Sequence, residues 1–182
     1  MKYDISALGN ALVDTQYMVD YEFLESIGLE ADSMTLASAE EQAPIIKKLI
    51  DMGSESVSDC GGSATNSLIA ASNYGSKCHH VCRVSDDADG KKYLESLRSA
   101  GVDHIGVSSK ESDMPTGKCL ILVTPDAKRT MSSMLGVSAF LATSDIKFDV
   151  IDDSKIFYIE GYMVTSEENF GAVISVLEHL KD

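Results

Sequence analysis

The chain has 182 residues, with 15 lysines and arginines against 29 aspartates and glutamates and a formal net charge of −14. Hydrophobic residues make up 44% and charged residues 24%, which fits one globular domain, or part of one, and excludes disorder, collagen and coiled coil. The excess of acid argues against a nucleic-acid surface, and no apolar run approaches the roughly 18 residues of a membrane span.

In chain order, Tyr3 to Gly9 reads as a short strand ending at a glycine. Thr15 to Val19 alternates weakly and reads as a second, and Met34 to Ala37 as a third. Ser38 with Glu41 forms a capping-box signature. It opens a helix carrying Ile45, Ile46, Leu49, Ile50 and Met52 on one face, with Pro44 inside its start. Gly61 and Gly62 lead into a small-residue helix from Ser63 to Tyr74. Lys77 to Val84 is a strand, Asp89 to Ala100 a helix with Leu94 and Leu97 inward, and Val102 to Val107 a strand again. Lys118 to Thr124 is strongly strand-like, with Arg129 to Met134 as its hairpin partner. Lys155 to Glu160 is a strand, and Thr165-Ser166-Glu167-Glu168 caps a last helix with Phe170, Val173, Ile174, Leu177 and Leu180 on one stripe.

Strands separated by helices of about a dozen residues imply βαβ units and a mostly parallel sheet, an α/β fold. The strand-rich pieces at about 12–37 and 116–134 do not fit that alternation and read as a β flap projecting from the core. The last helix is followed by no strand, so the sequence looks cut inside a larger domain. Asp4 and Asn10 interrupt any signal-like start. The sparse cysteines (Cys60, Cys78, Cys82 and Cys119) suit a reduced, cytoplasmic protein.

Three segments could carry chemistry. In Gly9-Asn10-Ala11-Leu12-Val13-Asp14, at the end of the first strand, Asn10 and Asp14 offer donors and acceptors for vicinal sugar hydroxyls. The bland alternative is a turn whose polar residues satisfy their own backbone. In Asp59 to Asn66, Gly61 and Gly62 would let a ligand approach a helix start, and Asn66 lies one turn in. The alternative there is a tight turn before a closely packed helix. In Thr124 to Gly136, Lys128 and Arg129 are positive charges in a very acidic chain, suited to phosphate or simply to a solvated hairpin tip. Cys78, His80 and Cys82 would share one strand face, but residues four apart on a strand are about 13 Å apart, too far to converge on one ion. No metal site is expected. A dinucleotide fingerprint, a P-loop and a Gly-x-Ser-x-Gly elbow are all absent.

The segments GNALVD, CGGSATNSLIAAS, GKKYLESLRSAGVD, TGKCLILVTPDAKRTM and YIEGYMV, in this order, resemble the phosphofructokinase-B (PfkB), or ribokinase-like, carbohydrate and nucleoside kinases. The resemblance spans all 182 residues and matches the N-terminal part of the family. It implies a Rossmann-like three-layer core, incomplete for lack of the C-terminal half, with a β-sheet lid, and transfer of the ATP γ-phosphoryl to a sugar or nucleoside hydroxyl. It implies substrate contacts from Asn10, Asp14, Gly61, Gly62, Asn66 and Arg129, and pairing of two copies through the lid or the cut face. The family's second signature, Gly-Ala-Gly-Asp, holds the general base and the anion hole, and that string occurs nowhere in this chain. ATP and Mg2+ therefore belong to the parent enzyme, no catalytic residue is assigned here, and the isolated chain is expected to be inactive. The alternative is a non-catalytic sugar- or nucleoside-binding or interaction module on the same fold.

Overall fold

The computed structural model describes residues 1–109 and 114–181. The nine strands among them form two sheets, β1 (Tyr3–Leu8), β5 (Cys78–Ser85), β6 (Val102–Ser109) and β9 (Ser154–Ile159) in the core sheet and β2 (Leu12–Met18), β3 (Met34–Leu36), β4 (Ser56–Gly61), β7 (Gly117–Val123) and β8 (Arg129–Met134) in the second. The core sheet is parallel in the order β6-β5-β1-β9. Its side-chain alternation feeds two separate apolar clusters. Ala7, Cys78, Cys82 and Val84 pack on one face with α3 (Ser63–Asn73) and α4 (Ala88–Ser99), through Ala64, Leu68, Tyr93 and Leu97. Leu8 and Val81 pack on the other with α5 (Phe148–Asp152) and α6 (Glu167–His179), through Ile151, Ala172, Val173 and Val176. The result is the expected three-layer α/β/α core.

The second sheet runs β3-β8-β7-β2-β4 and is mixed. One face is covered by α1 (Tyr21–Ser26) and α2 (Ala39–Asp51), with Tyr17, Leu120 and Leu122 against Phe23, Leu24 and Leu49. The capping box at Ser38 and Glu41 forms as expected. The β flap is thus a five-stranded sheet with its own helical layer, and α2 belongs to it instead of to the core. Ile50 and Met52 lie exposed, and Gln42 turns inward, its Nε2 donating to the Ser132 carbonyl at 2.7 Å.

Among the elements not legible in the sequence were β4, α1 and α5. β4 (SVSDCG) lacks apolar alternation because it is an edge strand, paired to β2 alone. α1 is a six-residue helix capped by Asp20, whose Oδ1 accepts from the Phe23 N–H. The last helix is also turned relative to its expected stripe. Val173 is buried, but Phe170, Ile174, Leu177 and Leu180 are exposed, and the inward face is Asn169, Ala172, Val173 and Val176. The rotation follows from Asn169, whose amide is drawn in by Asn10 Oδ1 and by the Leu141 N–H.

Cys78 and Cys82 are apolar filling in the core. His80 between them is fully buried, its Nε2 3.2 Å from Thr65 Oγ1, which also meets the Tyr93 hydroxyl at 2.5 Å. Removing the Tyr93 hydroxyl takes one bond from this network and leaves Thr65 Oγ1 with His80 as its partner. Tyr93→Phe is expected to cost about 1 kcal/mol in urea unfolding, with the sheet contents unchanged by circular dichroism.

Candidate functional site

β1 lies between β5 and β9, and the connections to these neighbours pass on opposite faces of the sheet. The carboxyl end of β1 is therefore the topological switch point, where α/β sheets place ligands. Gly9 and Asn10 follow β1 there, and Glu160 follows β9.

Glu160 is only 2% exposed. Its Oε1 accepts from Asn10 Nδ2 and its Oε2 from the Ala64 N–H, both at 3.0 Å. The Ala64 donor is in the first turn of α3, whose N-cap, Gly62, has no side chain to satisfy it. A carboxylate from a distant strand thus serves as the missing cap. Asn10 Oδ1 accepts from Ser138 Oγ at 3.1 Å and from Asn169 Nδ2 at 3.2 Å. The amide of Asn10 is thereby committed to the framework, with one N–H left over.

The glycines of the CGGS segment make room for these side chains. A Cβ on Gly61 would collide with the carboxylate of Asp14, and one on Gly62, at φ +98°, with the backbone carbonyl of Asn10. Gly9 is equally tight, its Cβ position lying 2.5 Å from the Ala64 Cβ.

Between the switch point and the second sheet lies a cavity of about 220 Å³. The period-two alternation of the second sheet decides what faces it. Leu12 and Asp14 of β2, Cys119 and Ile121 of β7, and Arg129, Met131 and Ser133 of β8 line it, while Leu120 and Leu122 face the helices. Of the expected site residues, Asn10, Asp14, Gly62, Asn66 and Arg129 line this one cavity. Gly61 stands behind Asp14, and Lys128 turns away to the Asp126 carboxylate at 3.7 Å. Sequence reasoning missed Glu160, Ser138 and Asn169. Glu160 had a signal, an acidic residue closing an apolar strand at the head of the sheet; Ser138 and Asn169 had none.

Asp14 is half-buried, and burial pushes its carboxyl up to about 6, with Asp59 adding to the rise and Arg129 opposing it. No hydrogen bond from a described residue contributes to its ionisation. Apolar Met34, Leu36, Ile121 and Met131 share the cavity with it. Such a carboxylate is costly when empty-handed and suited to accepting from a ligand's hydroxyls.

The family model described as the pfkB family carbohydrate kinase matches residues 23–182. The chain belongs to this family. Over its full length it is 26% identical to the adenosine kinase of Saccharomyces cerevisiae, of which it covers 54%. It is 29% identical to mouse ribokinase over 48% of the chain and 27% of the relative. Among solved structures, adenosine kinase from Sinorhizobium meliloti superposes with a TM-score of 0.85 at 29% identity, over 98% of this chain and 53% of that one. A probable sugar kinase from Rhizobium etli CFN 42 gives 0.84 at 27% identity, over 98% and 54%. The chain thus spans about half the length of the two adenosine kinases and of the probable sugar kinase.

Two stability tests follow from this geometry. In Glu160→Gln one oxygen is replaced by an NH2 facing an N–H donor, so one of the two bonds is lost and a donor is left buried. Urea titration is expected to show a loss of about 1–3 kcal/mol. Asp14→Asn should act in the opposite direction. Because the folded carboxyl titrates near 6 and its ordinary value is 3.8, the folded state binds the proton more tightly. Stability therefore falls as pH rises from about 4 to 6. Removing the charge should raise stability at pH 7.5 on the order of 1 kcal/mol after solvent screening, with the gain vanishing below about pH 4, as thermal melts across pH will show.

Proposed function

We propose that this chain is the substrate-holding part of an ATP-dependent nucleoside or sugar kinase, with the hydroxyls of a ribose-like ring received by Asp14 and Asn66. The observation that carries this reading is the carboxylate of Asp14, without a hydrogen-bond partner among the described residues, on a cavity wall it shares with apolar Met34, Leu36, Ile121 and Met131. A vicinal diol donates to the carboxylate, and a flat heterocycle covers Met34, Leu36, Ile121 and Met131 better than water does. This favours a nucleoside over a free sugar, and the family relatives include both an adenosine kinase and a ribokinase. Asn10 and Glu160 act as positioning residues, holding the rim on which the ring rests. Arg129 is the cation on the cavity wall, placed to meet a phosphate.

ATP and Mg2+ are implied by the family. Among the described residues no group of three or more His, Cys, Asp or Glu could hold a metal ion. Among the described residues Arg129 is the one basic residue lining the cavity, too little for a triphosphate, so no transfer step is derived for this chain. Phosphoryl transfer depends on positioning and charge stabilisation, and the Gly-Ala-Gly-Asp string is absent from these 182 residues. The chain alone is proposed to bind without turnover. It is also proposed to self-associate, because Phe170, Ile174 and Leu177 on α6, and Ile156 on the edge strand β9, are 48%, 38%, 43% and 58% exposed.

Calorimetry on the 182-residue chain tests the substrate. Adenosine should bind at least tenfold more tightly than ribose, binding should weaken below about pH 6 as Asp14 protonates, and Asp14→Asn should abolish it. Equal affinity for the two ligands, or none with Asp14 intact, overturns the reading. An ATP-dependent phosphorylation rate above background would overturn the proposed lack of turnover. Sedimentation should show Phe170→Lys with Leu177→Lys shifting the chain toward monomer.

A further inference from the structure

A second cleft, of about 650 Å³, opens at the opposite end of the core sheet, about 16 Å from the switch point by the strand rise along β1. It is formed where β1 and β6 begin, beside the end of α4 and the start of α5. Positive charge is scarce in a chain with 15 basic and 29 acidic residues. Even so, Lys2, Arg98 and Lys147 meet here, together with His79 and His104, two of the chain's four histidines. The three cations come from three separate elements, so they approach the cleft from different directions.

Two acidic residues share the lining, so three cations face two carboxylates, and Asp103 bears electrostatically on Lys2, His79 and His104. Asp103 accepts from the Tyr3 hydroxyl at 3.0 Å, and Asp149 stands in the first turn of α5. The Tyr3 ring is held between Lys2 Nζ, 4.9 Å from its centroid, and the His79 ring, at 5.0 Å. His79 is 3% exposed, and its Nδ1 is buried without a hydrogen-bond partner among the described residues. Buried ring nitrogens are normally paired; this one is closed off from the cleft, so His79 stands in the wall of the site and not as a direct ligand partner. Lys2 and Lys147 both bear electrostatically on His79, and Arg98 on His104.

We propose that this cleft is a second binding site, taking a small molecule through a dianionic phosphoryl group held by Lys2, Arg98 and Lys147, with His79 and His104 in its wall. A tetrahedral dianion accepts from several directions at once, whereas a planar carboxylate is satisfied by one bidentate arginine. The cleft is far larger than an inorganic ion, and Asp103 and Asp149 offer acceptors to the donor groups of the remaining molecule.

Inorganic phosphate and succinate, matched in ionic strength with chloride, are titrated separately into the 182-residue chain while the imidazole carbon-bound protons are followed by NMR. Phosphate should shift the His79 and His104 resonances saturably, with succinate at least tenfold weaker. Arg98→Gln and Lys147→Gln, both at exposed positions, should each weaken phosphate at least fivefold, while Lys47→Gln on the exposed face of α2 should not. A shift that does not saturate, equal binding of succinate, or phosphate binding indifferent to Arg98 and Lys147 would overturn the proposal.

Discussion

The arrangement of the cavity depends on one carboxylate. Glu160 stands almost wholly out of solvent and survives there as an acceptor because two N–H groups meet its two oxygens. Those donors come from residues 10 and 64, so a single side chain ties the ends of β9 and β1 to the start of α3. The close approach is possible only because Gly9 and Gly62 leave the space that a Cβ would occupy. A strand end, a loop and a helix start, far apart in sequence, are thereby brought to one rim.

The two sheets divide the work according to their side-chain periods. The interior strands of the core sheet, β1 and β5, pack between two helical layers and supply rigidity. The second sheet is covered by helices on one face only. Its other face is free to carry Asp14 and Arg129 beside methionines and isoleucine. Asp14 and Arg129 thus stand on strands that need only one face for stability, opposite Asn66 on α3.

Much of this was legible in the sequence, and what was not has identifiable causes. β1, β5, β7 and α4 were readable because their apolar patterns match their geometry. Asn10, Asp14, Gly62, Asn66 and Arg129 could be named because each stands at a glycine turn, a helix start or a hairpin. Gly61 and Gly62 were read as room for a ligand, whereas the structure uses them as room for Asp14 and Asn10. Edge strand β4 carries no alternation because little of it is buried. The inward face of α6 was misjudged because a polar residue, Asn169, outranks the larger apolar ones when a buried amide needs it. Ser138 and Asn169 could not be found at all, since serine and asparagine carry no period, and only the fold brings them to Asn10.

The strand order has a consequence for how the protein comes into being. β2 leaves the core at residue 12 and finds its parallel neighbour only at β7, where Asp14 stands opposite Cys119. Pairings of such long sequence separation are slow to close. During synthesis β2 and the helices that follow must wait, one long flank unzipped, until β7 leaves the ribosome. In that interval β2 has β4 alone as a partner and Tyr17 lacks Leu120 and Leu122 to pack against, and chaperone surveillance should fall most heavily on nascent chains of intermediate length.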